Sequence, residues 1–307
     1  MKQKILITGG SGFVGKYLID ELKQLDNVSI TVVSRNFIGP NCDRIDYHQV
    51  DYVDFIKSCN TIFDFVFHFA WSSVPSSSYN LPIDDIHDNL IKSYLFYQQC
   101  ANLKVKNIIF LSTGGAMFSD YNNRAINELH TPSPKGVYGI NKLTTELYLK
   151  SLTKNTSSNY IIFRCSNIYG FGQNLSKPIG FINHALNSIV SNQPLTVYGD
   201  GTVVRDFIHI KDVISALKMV LQNRIKFNQI YNLSTCIGFS INQIISLINI
   251  ITNKKLKINR ESNRIFDVDS VVLDNRKLLN QGWTINENID DGIRTIYQQI
   301  VDKKIIS

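Results

Sequence analysis

No apolar run in this sequence approaches the roughly 20 residues that a membrane-spanning helix needs. The first apolar segment, Ile5-Leu6-Ile7, is far shorter than the core of a secretory signal and runs straight into Thr8-Gly9-Gly10. It reads as a first β-strand, and the expected location is cytoplasmic, with no membrane partner. Paired cysteine is lacking too. The five cysteines, Cys42, Cys59, Cys100, Cys165 and Cys236, are odd in number and scattered, and none stands in a Cys-x-x-Cys pair. That argues against a disulfide framework and against a metal site; each reads as a small buried hydrophobe in a reducing compartment. There is also no basic tract interleaved with aromatics. The densest run is Lys254-Lys255-Leu256-Lys257, so the net charge of +7 suits an anionic small molecule such as a diphosphate better than nucleic acid. Repeats and free linkers are missing as well. With 307 residues, 44% hydrophobic and 19% charged, the chain is ordinary globular material for one large domain or two closely joined ones.

What is present is an alternation. Short apolar runs (Ile5–Ile7, Ile30–Val33, Phe63–His68, Asn107–Ser112, Tyr160–Arg164) are separated by amphipathic segments of helical length, the first from about Gly12 to Leu25. Continuous apolar strands between helices indicate a parallel sheet covered on both faces, hence an α/β, doubly wound (Rossmann) fold. Punctuation changes after residue 165, where Gly170-Phe171-Gly172, Gly199-Asp200-Gly201 and asparagine-rich stretches interrupt shorter elements. We expect a nucleotide-binding domain over 1–165, a segment near 205–235 that rejoins its sheet, and a smaller substrate domain over 166–307.

Between the first strand and the first helix lies Gly9-Gly10-Ser11-Gly12-Phe13-Val14-Gly15, in which Gly10, Gly12 and Gly15 satisfy G-x-G-x-x-G. One glycine allows the tight turn, the next lets backbone approach a pyrophosphate, and the last lets helix pack on strand. The helix N-terminus then offers N–H groups to the phosphates. At the end of the second strand an NAD enzyme would carry an acidic residue for the ribose 2′-hydroxyl. Here the strand ends in Ser34-Arg35-Asn36, without a carboxylate. A guanidinium fork and a hydroxyl suit a 2′-phosphate, which favours NADP over NAD; the competing reading is a solvated Arg35 beside an NAD site.

Tyr138 and Lys142 stand four apart in a helix expected over about 138–151, so they share one face. A phenol with an ordinary pKa near 10 is a poor acid–base group at neutral pH, and an adjacent ammonium would lower it toward the working range.

With both motifs in view, the chain resembles the extended short-chain dehydrogenase/reductases of the NAD-dependent epimerase/dehydratase family, over nearly its whole length. That resemblance implies a hydride-transfer enzyme acting on a nucleotide-diphosphate sugar, with NADP or NAD as cofactor and a homodimer as its assembly. It implies cofactor contacts from Gly9, Gly12, Phe13, Val14, Gly15, Ser34, Arg35, Asn36, Asp51 and Tyr52 after the third strand, Phe69 and Ala70 after His68, and Lys142. Asn89 matches the fourth-helix asparagine. On the substrate side it implies Asn167, Arg205, Arg264 and Asp267. The sequence departs from the family at Ser112-Thr113-Gly114-Gly115-Ala116-Met117-Phe118, where aligning Phe118 with the family tyrosine puts Gly114 at the usual Ser/Thr position. Thr113 is then the nearest candidate to join Tyr138 and Lys142 in catalysis, and Ser112 the second.

Two enzymatic readings share this machinery. A 4-keto-6-deoxyhexose reductase, serving 6-deoxysugar and surface (lipo)polysaccharide synthesis, must renew its reduced cofactor each turnover, and the Ser34-Arg35 ending favours it. A UDP-hexose or UDP-N-acetylhexosamine 4-epimerase would keep NAD bound. A non-catalytic NAD(P) sensor is the third reading, at odds with the Tyr138/Lys142 pair. A dehydratase is disfavoured, because its Asp-Glu pair is replaced by Gly114-Gly115.

Overall fold

Strands that are buried on both faces organise the first half of the chain. The computed structural model describes residues 2–36, 39–119, 124–177, 179–265, 267–268 and 270–306. In chain order the elements begin with β1 (Gln3–Thr8), α1 (Phe13–Leu22), β2 (Val28–Ser34), β3 (Ile45–Gln49), α2 (Tyr52–Ser58) and β4 (Phe65–His68). Two short helices follow, α3 (Pro75–Asn80) and α4 (Pro82–Asp85), then a π-helical turn (Ile86–Ile91) running into α5 (Lys92–Asn102). Next come β5 (Asn107–Thr113), α6 (Val137–Lys154), β6 (Asn159–Cys165), β7 (Asn167–Tyr169), α7 (Phe181–Ser191), β8 (Leu195–Tyr198) and β9 (Val204–His209). The remainder is α8 (Ile210–Leu221), β10 (Gln229–Leu233), β11 (Gly238–Ser240), α9 (Ile241–Thr252), β12 (Ile258–Glu261), β13 (Ser270–Val271), α10 (Arg276–Leu279) and α11 (Ile289–Ile306).

Seven strands form one sheet in the order β10-β6-β5-β4-β1-β2-β3. β1 pairs parallel with both β2 and β4, in the registers Ile5↔Ile30 and Ile5↔Phe65, β2 pairs parallel with β3, and β4 with β5. Read from β3, this is the 3-2-1-4-5-6 order of the doubly wound fold, whose switch point lies between β1 and β4. Ile5, Leu6 and Ile7 are all buried, which is why β1 is apolar without alternation. The edge strand β3 (Ile45-Asp46-Tyr47-His48-Gln49) is half polar and gave no apolar run to read.

The chain divides into two compact units. The first comprises Met1–Thr113, Pro134–Arg164 and Leu217–Tyr231; the second comprises Gly114–Ser133, Cys165–Ala216 and Asn232–Ser307. The rejoining segment is thus shorter than the 205–235 expected, and residues 114–133, expected in the first unit, go to the second. Hydrogen bonds give the reason: Gly114 N–H donates to Cys165 O (2.7 Å), Ile126 N–H to Val272 O (2.9 Å), and Asn232 N–H to the Glu128 carboxylate (2.8 Å). The first unit's core gathers Leu6, Val66, Phe96, Tyr97, Phe110 and Ile162. The second unit has its own core around Tyr169, Leu186, Phe207, Ile248 and Ile296. There α9 starts on a capping box, Ser240 and Gln243 each bonding the other's backbone N–H.

The cysteines correct one expectation. All five are free thiols, but only Cys100 and Cys165 are buried, while Cys42 and Cys236 are exposed. Among the described residues no helix is long and apolar enough to cross a membrane.

Candidate cofactor and active site

The glycine loop leaves no room for side chains. Gly9 has φ +73°, and a Cβ there would lie 2.6 Å from Ala70 N. A Cβ on Gly15 would lie 2.5 Å from Gly9 O and 2.8 Å from Gly10 Cα. Gly12 N–H donates to Gly9 O at 2.9 Å and closes the turn. α1 then starts on Gly12 with no side-chain cap and no acidic residue in its first turn. The N–H groups of Phe13, Val14 and Gly15 and the positive end of the helix are therefore left to an anion. This cradle fits the diphosphate of a dinucleotide. Beside it, Phe69 N–H donates to Thr8 O (3.2 Å) and Ala70 N–H to Thr8 Oγ1 (3.4 Å), so the end of β4 is stitched to the end of β1.

At the end of β2, the hydroxyls of Ser34 and Ser11 lie 2.6 Å apart, tying strand to glycine loop. Asn36 N–H donates to Ser34 Oγ at 3.3 Å. Arg35 is exposed, with its carbonyl accepting from Gln49 Nε2 at 3.3 Å. The Asp51 carboxylate is already engaged: it accepts from Val53 N–H (2.9 Å) to cap α2 and pairs with Lys92 Nζ (3.0 Å). Tyr52 was expected at the cofactor, but its ring is core, edge-on to His68 (5.1 Å) and Phe96 (5.3 Å), and burial pushes its phenol well up. His68 is buried between Thr8 Oγ1 (2.9 Å) and Ser93 Oγ (3.2 Å). Burial first, and the Lys142 charge second, push its pKa down to about 3, so the imidazole is neutral. Asn89 lies in the π-helical turn, where its Oδ1 accepts from Ser72 N–H (2.8 Å) and its Nδ2 donates to Asp85 (2.6 Å).

Tyr138 and Lys142 fall in the first turns of α6, Tyr138 half-buried and Lys142 only 4% exposed. Lys142 Nζ donates to Leu111 O at 2.9 Å and stands 6.0 Å from the centre of the Tyr138 ring. It also lies 3.8 Å from the centre of the Trp71 ring, a residue that sequence reasoning passed over although it follows His68-Phe69-Ala70 directly.

The structure separates the two candidates on β5. Ser112 is buried and its hydroxyl donates to Glu146 Oε1 at 2.6 Å, which withdraws it from any sugar contact. Glu146 is paired with Arg164: NH2 to Oε2 at 2.7 Å, Nε to Oε1 at 3.1 Å. Thr113 ends β5 half-buried and remains the candidate. The departure at Gly114 has a steric cause, since a Cβ there would collide with the buried Leu273 side chain and come within 3.2 Å of Cys165 O. Glycine and leucine replace a hydroxyl at that point. No local signal could have shown this.

In the second unit, Asn167 is exposed and its Nδ2 donates to Asp206 O at 2.9 Å. Strands β7 and β9 pair in the register Asn167↔Phe207, which puts Arg205 two residues along the neighbouring strand. Arg205 is half-buried, with NH1 donating to Val204 O at 2.9 Å. Asp206 points inward and accepts from Thr235 Oγ1 (2.8 Å) and Cys236 N–H (3.0 Å), while burial pushes its pKa up to about 6. Arg264 and Asp267 meet in a bidentate pair (Nε–Oδ2 2.8 Å, NH2–Oδ1 3.0 Å), and the guanidinium lies 4.4 Å from the centre of the Tyr198 ring. Tyr198 is a second residue that sequence reasoning missed.

The chain as a whole is similar to known proteins. The family model described as "NAD dependent epimerase/dehydratase family" matches residues 5–234. A provisionally named UDP-glucose 4-epimerase of Methanocaldococcus jannaschii is 28% identical over 95% of this chain and 96% of its own length. The dTDP-4-dehydro-6-deoxyglucose reductase of Escherichia coli is 26% identical over 97% of this chain and 98% of its own. Among solved structures, the UDP-glucose 4-epimerase of Thermotoga maritima with UDP-glucose superposes with a TM-score of 0.91 at 25% identity, covering 98% of this chain and 100% of that one.

Proposed function

The chain belongs to the NAD-dependent epimerase/dehydratase family, and from that premise we propose that it reduces a nucleotide-linked 4-keto-6-deoxyhexose, with NADPH as the preferred donor. One observation carries the choice of reductase: β2 ends in Ser34-Arg35 without a carboxylate, with Ser34 held 2.6 Å from Ser11 of the glycine loop. A hydroxyl pair and an exposed guanidinium suit a 2′-phosphate. When bound, the nicotinamide supplies the hydride. Tyr138 gives its proton to the sugar's C4 oxygen, so that carbonyl becomes alcohol. Lys142 stabilises the phenolate left behind, and Thr113 holds the same oxygen by a hydrogen bond. The nucleotide diphosphate falls to Arg205 and Arg264, with Asn167 and Asp267 as polar partners.

The second reading, a UDP-hexose 4-epimerase with retained NAD, draws support from the Methanocaldococcus and Thermotoga relatives. The deciding experiment incubates the purified protein with NADPH, and separately NADH, plus dTDP-4-dehydro-6-deoxyglucose, then with UDP-glucose alone. Stoichiometric NADPH consumption supports the reductase. Cofactor-free interconversion of UDP-sugars by protein that carries tightly held NAD⁺ would replace it with the epimerase.

We assign the homodimer to the outer faces of α5 and α6. Ile140, Leu147 and Tyr148 of α6 are exposed there, with Ile91 at the end of the π-helical turn that leads into α5, and Tyr148 meets Tyr94 edge-on at 5.0 Å. An apolar strip of this kind asks for a cover. Leu147→Lys should yield monomers in sedimentation velocity; an unchanged mass would sink the assignment.

A further inference from the structure

Trp71 is fastened by its edge and applied by its face. Its Nε1 donates to Ser73 Oγ at 3.0 Å, and that hydroxyl donates to the buried Asp85 carboxylate at 2.7 Å. Asp85 is fixed in turn by Ser78 Oγ and by Asn89 Nδ2 (2.6 Å). The indole lies 6.0 Å from the Phe110 ring and 6.2 Å from the Tyr138 ring, the latter edge-on at 83°. On its face stands the Lys142 ammonium, 3.8 Å from the ring centre, with Phe110 at 4.7 Å and Leu111 O at 2.9 Å. So deep a position strips the ammonium of most of its water. The attraction of a cation to a ring face is then at its strongest, and Trp offers the best face.

We infer that Trp71 is a positioning residue for the Tyr138–Lys142 pair: its indole face holds the Lys142 ammonium charged and in place, and so acts on the Tyr138 phenol only through Lys142. The inference rests on the reading of Tyr138 as the acid–base group, but its test needs no substrate. The lysine stem has four rotatable carbons and a point charge that the protein must orient. Without the indole, the ammonium loses the ring face nearest to it. It then wanders or loses its proton more readily, and either change withdraws support from the Tyr138 phenolate. Several ionisable groups on and around α6 are already neutral or paired. His68 of β4 is neutral, Glu146 of α6 is paired with Arg164 of β6, and Asp85 of α4 is enclosed by hydroxyl and amide donors. Lys92 of α5 is paired with Asp51 and with Asp88 of the π-helical turn.

The test is a tyrosinate absorbance titration of the full chain, with each protein compared to its Tyr138→Phe counterpart so that the difference isolates Tyr138. Trp71→Leu should raise the Tyr138 midpoint by about one pH unit, a tenfold loss of tyrosinate at fixed pH. Trp71→Phe keeps a weaker face and should raise it by about half as much. Lys142→Met should give a rise at least as large as Trp71→Leu, and adding Trp71→Leu to it should add nothing. An unchanged midpoint in Trp71→Leu, or an undiminished shift in the Lys142→Met background, overturns the inference. If Trp71→Leu does not fold by circular dichroism, Trp71→Phe decides, and an unchanged midpoint there overturns the inference equally. An unchanged midpoint in Lys142→Met alone overturns the reading of the Tyr138–Lys142 pair itself, which keeps the two failures distinct.

Discussion

Two bidentate arginine–carboxylate pairs, Arg164–Glu146 in the first unit and Arg264–Asp267 in the second, differ in where they stand. In Arg164–Glu146 the side chains are 4% and 1% exposed; in Arg264–Asp267 they are 32% and 24% exposed. The first pair sits one turn past Lys142, takes a further bond from Ser112, and has no water to fall back on. The second is half-buried, and where water and salt reach both partners an ion pair contributes only about 0–1 kcal/mol. The same chemical contact therefore serves two ends. Buried, it fixes the strand and helix that carry Thr113, Tyr138 and Lys142. Half-buried, it leaves the Arg264 guanidinium within reach of water and able to exchange its partner.

The largest effect should come from breaking the buried pair. Glu146→Ala leaves Arg164 desolvated without its carboxylate, a loss of about 3–5 kcal/mol. The shift should be plain in chemical unfolding, and a change below about 1 kcal/mol would mean that water or a neighbour replaces the carboxylate. Next comes the group that this frame carries. Tyr138→Phe should leave cofactor binding near normal and lower turnover about 10²-fold or more; steady-state kinetics with retained turnover would remove Tyr138 from the mechanism.

The half-buried pair should behave in the opposite way. Arg264→Ala should cost little stability yet weaken nucleotide-sugar binding by about 1.5–3 kcal/mol, the range for hydrogen bonds to charged groups. Calorimetric titration of the sugar nucleotide, together with an unfolding curve, reads both halves. A variant that loses stability but not affinity would reverse the comparison.

The same contrast explains what was legible in the sequence. The glycine loop and the Tyr138/Lys142 spacing are local, because the turn and the helix face are set by residues within a few positions. β1, β2, β4, β5 and β6 were legible for a related reason, since burial on both faces leaves an unbroken apolar run. β3 alternates with polar residues at the sheet edge, and β7, β11 and β13 are two or three residues long, too short for any period. Thr113 ranked ahead of Ser112 only by its place beside Gly114, and the bond from Ser112 to Glu146 adds a reason that lies 34 residues away. Gly114 looked like a lost function until Leu273, from a distant part of the chain, was seen filling its place. Trp71 carried no motif, because its role exists only once β4 and α6 have brought it to Lys142.

The smallest effect concerns an exposed residue at the end of β2. Arg35 is exposed and close to the Ser34–Ser11 hydroxyls. Only NADPH offers a 2′-phosphate for its guanidinium; NADH presents a hydroxyl there, which needs no cation. Arg35→Ala should therefore weaken NADPH by about 1.5 kcal/mol, the lower end for a charge-assisted contact at a solvated site, and leave NADH nearly unchanged. Fluorescence titration with each reduced cofactor gives the two affinities directly. Because the contact is exposed, the NADPH loss should also shrink as salt rises from 0.05 to about 0.5 M, where screening shortens the reach of the charge. Equal losses for both cofactors would mean that Arg35 shapes the end of β2 rather than reading the 2′ position. No loss for either would leave it a solvated side chain, and the argument for a reductase would lose its main support.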